Sequence, residues 1–145
     1  GYEHYEISNF AKIGFRSRHN SSYWKGQQYL GLGPSAHSFN GSERKWNVSN
    51  NRIYIESINS GLIPAETELL TPVQKLNEYI MTSLRTIEGI NIEKLNAAFN
   101  ITPQEMLNKT GRYTESGLLK LENNSLILTR EGKLLADGIA AGLFF

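Results

Sequence analysis

The sequence predicts an α+β protein in two parts, and three observations predict it. Residues 1–65 are aromatic, glycine-rich and irregular, residues 66–145 string together helix start signals, and a Pro64 to Thr71 stretch separates the two. At 145 residues, 39% hydrophobic and 20% charged, the chain has the composition of an ordinary folded protein with one core or two small ones.

Within the first part, Tyr2 to Ser8 reads as a strand with Tyr5 and Ile7 on one face, because aromatic and β-branched residues recur with period two. Tyr29 to Phe39 reads as a second strand entering a glycine-containing turn, Asn47 to Asn51 as loop, and Ile53 to Ser60 as a short helix stopped by Gly61 and Pro64. The second part opens at Thr71-Pro72-Val73-Gln74, where Thr71 can cap, Pro72 suits the first helical position and Gln74 can close a capping box. Val73, Leu76, Ile80, Leu84 and Ile87 then form one apolar stripe, up to Gly89. Asn91 and Thr102-Pro103-Gln104-Glu105 start two more helices, with Leu95, Phe99, Met106 and Leu107 facing the core. A further helix is expected around Tyr113 to Glu122, then a turn at Asn123-Asn124, a strand at Leu126 to Leu128, and a last helix over Lys133 to Leu143. That order resembles a winged-helix arrangement.

Composition excludes several function classes. There is no cysteine, so no disulfide framework, thiolate metal site or cysteine nucleophile can form within the chain. No run approaches the roughly 18 apolar residues of a membrane span, and the first residues have neither the basic start nor the apolar run of a secretory signal, which makes the cytoplasm the expected compartment. Lys and Arg number seven against four acids in residues 1–64 and eight against ten in residues 65–145. The candidate groove-reading helix around Tyr113 carries Glu115, Lys120 and Glu122, a net negative set, so nucleic acid is not an expected partner. Paired carboxylates, a serine triad and metal-spaced clusters are all missing.

The densest chemistry is Arg18-His19-Asn20-Ser21-Ser22-Tyr23-Trp24. An imidazole can ligate haem iron, Tyr and Trp can lie against a macrocycle, and Arg16 or Arg18 can meet propionates. The plainer reading is that His19 and Asn20 hydrogen-bond a loop while Tyr23 and Trp24 fill the core; one histidine without a second convergent ligand is weak metal evidence. Gly31-Leu32-Gly33-Pro34-Ser35-Ala36 formally matches a dinucleotide fingerprint, with Glu56 further on. Pro34 lacks the N–H that a pyrophosphate needs there, and Gly41 interrupts any helix, so the glycines are expected to let backbone pass close to a neighbouring strand or a ligand, with His37 and Ser38 at the strand end.

Tyr5-Glu6-Ile7-Ser8-Asn9-Phe10-Ala11, Ser17-Arg18-His19-Asn20 with Tyr23-Trp24, and Tyr29 through Ser38 are similar to signatures of the HemW-type, oxygen-independent coproporphyrinogen III oxidase-like radical S-adenosylmethionine family. Leu84-Arg85-Thr86 with Gly89-Ile90, and Leu128-Thr129 with Gly132, Leu134-Leu135-Ala136-Asp137, also resemble it, so the likeness spans the chain. Lys12-Ile13-Gly14 departs from the proline-glycine often found there.

The resemblance implies that residues 1–65 are the last part of a radical-SAM (β/α) barrel with its connecting segment, and residues 66–145 a HemN-type, winged-helix-like carboxy-terminal domain. The start without Met fits an interior cut. A longer parent would hold a 4Fe-4S cluster through C-x-x-x-C-x-x-C and S-adenosylmethionine on its open iron; with the cluster's cysteines absent, this chain alone is not expected to be a complete enzyme. The resemblance further implies haem or porphyrin as ligand, with His19 as iron ligand and Asn20, Tyr23, Trp24 and Arg18 beside it. The expected partners are the amino-terminal radical-SAM core, a haem-receiving protein and a second copy. Anaerobic oxidative decarboxylation of coproporphyrinogen III by the parent is the alternative activity, and a winged-helix binding module the alternative class.

Overall fold

The structure is a computed structural model that describes all residues, Gly1–Phe145. Along the chain run β1 (Glu3–Glu6), β2 (Asn9–Ala11), α1 (Arg18–Trp24), β3 (His37–Phe39), β4 (Glu43–Asn47), α2 (Asn51–Asn59), β5 (Ala65–Leu69), α3 (Pro72–Leu84), β6 (Ile90–Asn91), α4 (Ile92–Phe99), α5 (Pro103–Glu115), β7 (Leu119–Glu122), β8 (Ser125–Leu128), α6 (Arg130–Lys133) and α7 (Ala136–Leu143). The α+β class is as expected. Every strand pairing is antiparallel, in the sheets β1-β2, β3-β4-β5 and β6-β8-β7. No helix is long and apolar enough to cross a membrane.

Two compact units form. One is Gly1–Lys25 together with Pro72–Phe145, the other Gly26–Thr71. This grouping differs from a cut at 65/66, because the first strands join the last half. The Ile7 N–H donates to the Arg85 carbonyl at 3.0 Å and the Ile87 N–H to the Tyr5 carbonyl at 3.1 Å, which lays residues 5–7 along the segment leaving α3.

The larger unit holds the core. Leu76, Ile80 and Leu84 of α3 are buried as their spacing predicts, whereas Val73, at the start of the stripe, is half exposed. They meet Ile139, Ala140 and Leu143, which fall on one face of α7, and Met106 from α5. Asn91 caps α4, its side chain accepting the Lys94 N–H at 2.8 Å. Thr102 and Glu105 close the expected capping box on α5: the Thr102 hydroxyl accepts the Glu105 N–H at 3.2 Å and the Glu105 carboxylate accepts the Thr102 N–H at 2.8 Å. Hydrogen bonds to that carboxylate, first from the Thr102 hydroxyl at 2.7 Å and then from the Thr102 N–H, hold the Glu105 carboxyl below the usual carboxylate range. Thr102→Ala is expected to lower the unfolding free energy by about 1 kcal/mol, seen as a lower urea midpoint with unchanged slope.

The helix expected around Tyr113 to Glu122 is not there. Helix α5 starts ten residues earlier, passes through Tyr113 and ends at Glu115, and residues 119–122 are strand β7. Gly117, at φ +73°, terminates the helix, and Asn123 and Asn124, at φ +47° and +63°, make the two-residue hairpin turn that pairs β7 with β8. Leu119 is buried while Lys120, Leu121 and Glu122 are exposed, so the strand lacks the alternation that would separate it from a helix turn by sequence. The final helix is likewise two pieces, α6 and α7.

In the smaller unit, β4 and β5 pair over five positions and β3 flanks β4. Of the expected strand Tyr29 to Phe39, only His37–Phe39 is one. The chain folds back on itself, Tyr29 and Phe39 exchanging both backbone hydrogen bonds at 2.9 Å. Gly31 sits where a Cβ would lie 2.1 Å from the His37 carbonyl oxygen, and Gly33 has φ +102°, so both glycines serve the close return of the backbone. No helix opens after them, in keeping with rejection of the dinucleotide fingerprint. Asn47, buried, donates its side-chain N–H to the Gly33 carbonyl at 2.8 Å and ties this loop to β4. Leu30, Leu32, Leu62 and Ile63 remain exposed.

Candidate functional site

Helix α1 carries the densest chemistry of the sequence, and its seven residues contribute no fully buried side chain. Its hold on the protein comes from its ends. Ser17 caps it, accepting the Asn20 N–H at 3.2 Å, while the Ser17 N–H donates to the Tyr5 hydroxyl at 3.4 Å. Arg16, just ahead, donates to both Glu3 carboxylate oxygens at 2.7 Å and to Glu88 at 2.6 Å, and its guanidinium lies 5.5 Å from the Tyr5 ring centre. Hydrogen bonds from Arg16 hold the Glu3 carboxyl below the ordinary range, and those of Glu3 and then Glu88 hold the Arg16 cation charged. Arg16 is therefore occupied inside the protein, which removes it as a free partner for ligand carboxylates.

At the far end, Trp24 lies beneath Arg85, whose guanidinium carbon is 5.1 Å from the ring. Arg85 in turn donates through Nε, and pairs through its terminal nitrogen, with Glu6 Oε1, both at 2.9 Å, and reaches the exposed Asp137 at 3.5 Å. Glu6 has no solvent exposure; it also accepts the Ser8 N–H at 3.0 Å and the Asn9 side-chain amide. Trp24, Arg85 and Glu6 thus pin α1 to the end of α3 and to the β1–β2 turn. The Trp24 indole N–H is buried with no partner.

Between these anchors the helix presents His19 and Tyr23, one turn apart. Their rings meet edge to face, with centres 5.0 Å apart and planes at 87°. Both residues are exposed, Tyr23 by 41%, and no hydrogen bond holds the His19 ring. Arg18 is exposed beside them, and Asn20 is half-buried. The plainer sequence reading, a loop held by His19 and a core filled by Tyr23 and Trp24, does not describe this helix. His37 sits in the other unit at the start of β3, its ring 6.4 Å from that of Trp46 across the β3–β4 pair.

Glu6 and Arg85 were missed as site residues. Both lie inside the family-like segments Tyr5 to Ala11 and Leu84 to Thr86, but 79 residues of separation hide their pairing, and a lone glutamate on a short strand gives no sign of burial.

With no cysteine and no cluster of three or more His, Asp or Glu able to hold a metal, the residues of this chain do not fit an iron–sulfur cluster.

Residues 70–135 match the family described as the HemN C-terminal domain. This segment is a HemN C-terminal domain. Beyond it, the chain is 33% identical over 99% of its length to the heme chaperone HemW of Mycobacterium tuberculosis, covering 35% of that protein. It is 31% identical over 96% of its length to the heme chaperone HemW of Bacillus subtilis, covering 37% of it. The chain is homologous to HemW throughout and spans about a third of the length of these relatives. The HemN fold itself is matched by a solved structure titled as the radical SAM enzyme coproporphyrinogen III oxidase (HemN) from Escherichia coli, with TM-score 0.72 and 16% identity, over 99% of this chain and 37% of that one. That likeness shows fold alone. Within the matched HemN C-terminal domain lies Arg85, whereas α1 and Glu6 lie outside it.

Proposed function

We propose that this chain is the haem-contacting, carboxy-terminal portion of a radical-SAM-type haem chaperone. The observation that carries the reading is His19: an exposed imidazole, unbonded at its ring nitrogens, on a helix anchored at both ends. Homology to proteins named heme chaperones supports the ligand class.

In this reading His19 offers one ring nitrogen to haem iron, Tyr23 offers an apolar ring at its side, and the Arg18 cation meets a carboxylate. Ser17, Tyr5 and the Trp24–Arg85–Glu6 chain hold those groups in position before any ligand arrives, which lowers the ordering cost of binding. Trp24, half-buried under a cation, acts as anchor more than as contact. Haem is cargo here, held and passed to a recipient protein. Radical chemistry would require cysteine thiolates supplied outside this chain, and no step of it is assigned to these residues.

The finer architecture follows the same proposal. α3, α4 and α5 followed by the β7–β8 hairpin and the β6-β8-β7 sheet fit a winged-helix arrangement within residues 66–145. Residues 1–65 would complete a barrel by docking on strands outside the chain, because the pairings inside it are all antiparallel. The compartment proposed is the cytoplasm, and self-association is proposed through exposed strand edges.

Haem titration followed in the Soret region tests the reading. The expected result is a saturable shift that is lost in His19→Ala and kept in His37→Ala. A shift unchanged in His19→Ala, with both variants folded by circular dichroism, would remove His19 as the iron ligand.

A further inference from the structure

Away from α1, the larger unit carries a groove of about 1160 Å³. Its floor includes the outer face of the β7–β8 hairpin, where Ile127 stands opposite Lys120 and Ser125 opposite Glu122. Ile7 and Phe10 from the first hairpin, and Ile87, supply apolar walls, and Phe10 and Leu134 are exposed at 61% and 84%.

The charges of the groove are not balanced. Its two carboxylates are already paired, Glu122 with Lys120 and Glu88 with Arg16. Lys133 has no carboxylate within salt-bridge distance. Its ammonium reaches His4 Nδ1 at 3.3 Å and the His4 carbonyl oxygen at 3.5 Å. His4 Nε2 lies 2.9 Å from the Ile7 carbonyl, so the tautomer that satisfies both contacts carries its proton on Nε2 and turns a lone pair to the ammonium. The imidazole is fixed in that role by stacking on Phe10, with ring centres 4.1 Å apart at 10°. Arg130, one turn before Lys133 and also lining the groove, is exposed and likewise has no carboxylate partner.

Lys133 and Leu134 also border a second cavity of about 670 Å³, whose own carboxylate, Asp137, is 3.5 Å from Arg85. A cation without a counter-ion therefore stands where two cavities meet, and burial lowers its pKa below the ordinary lysine value. An anion brought to Lys133 would relieve that desolvation, and one with a hydrocarbon body would cover the apolar walls in the same event.

We propose that this groove binds an amphipathic carboxylate, its carboxylate on Lys133 and its hydrocarbon against Ile7, Phe10, Ile87 and Ile127. The site is separate from the His19 helix, none of whose residues line it. Titration with the fluorescent fatty acid 11-(dansylamino)undecanoic acid, followed by displacement, tests the proposal on the full chain. Saturable dansyl enhancement is expected, displaced by laurate and at least about tenfold less well by dodecanol, which lacks the charge. Lys133→Met keeps the stem, removes an uncompensated charge, and is expected to weaken binding about tenfold or more while leaving the far-ultraviolet circular dichroism unchanged. Ile127→Glu, on the outer face of β8, adds a second arm by placing a like charge in the groove, and should also weaken the probe. Binding that does not saturate, equal displacement by dodecanol, or affinity unchanged in both variants would overturn it.

Discussion

Replacing Gly89 with alanine is expected to lower the unfolding free energy by about 3–4 kcal/mol, among the largest effects any single methyl group can have on this chain. Gly89, immediately before β6, has φ +67°, a left-handed conformation that costs an L residue strain by itself. The added Cβ would also lie 2.2 Å from the Leu126 carbonyl oxygen and 2.9 Å from the Ile127 side chain. That carbonyl belongs to β8, whose register with β6 pairs Ile90 with the fully buried Leu126, so it cannot retreat without opening the sheet at the core. Gly111→Ala provides the contrast. Gly111 lies inside α5 with nothing within 4 Å of its Cβ position, and the same methyl there should stabilise by about 0.5–1 kcal/mol. Urea midpoints of the two variants should therefore move in opposite directions; a Gly89→Ala midpoint within 0.2 M or so of the unmutated chain would contradict the close approach, given slopes of roughly 1–3 kcal/mol per molar.

The second large effect is expected from Arg85→Ala. It would leave the Glu6 carboxylate, which has no solvent exposure, without its cation, and would uncover the face of Trp24. Breaking a buried ion pair from one side is costly because the remaining charge stays desolvated, and about 3 kcal/mol is expected. Arg85→Lys should recover only part of it, since an ammonium cannot both bond Glu6 and spread over an indole as a planar guanidinium does. Glu6→Gln with Arg85→Met should recover more than either single change predicts, because the pair is removed together. The check is a thermal or urea denaturation cycle over these variants; additive losses in the double variant would mean that Glu6 and Arg85 do not act as one unit.

Much of the larger unit was legible because its signals are local. Capping at Asn91 and at Thr102 with Glu105, the stripe Leu76, Ile80 and Leu84, and the Asn123-Asn124 turn all act within one or two turns of chain. The smaller unit was harder to read. Strands Glu43–Asn47 and Ala65–Leu69 are mostly polar and bury little, so no alternation marks them, and the Tyr29 to Phe39 run has the residues of a strand but the glycines of a reversal. Helix α1 has no apolar stripe at all. It was found as chemistry and not as structure, and its anchors Glu6 and Arg85 come from segments whose meeting is a property of the fold. The HemN C-terminal domain stops short of α1, so the candidate site joins a recognisable domain to a helix outside it.

The most direct test of the central claim, that α1 presents His19 to haem iron on a pre-anchored helix, is chemical rescue of His19→Gly by free imidazole, read by haem absorption and electron paramagnetic resonance. The account predicts that His19→Gly loses the axial nitrogen signature of the unmutated chain and that imidazole restores it, while Arg85→Ala, measured under conditions where it stays folded, weakens haem binding without changing the signature. An axial signature that persists in His19→Gly before imidazole is added would contradict the claim.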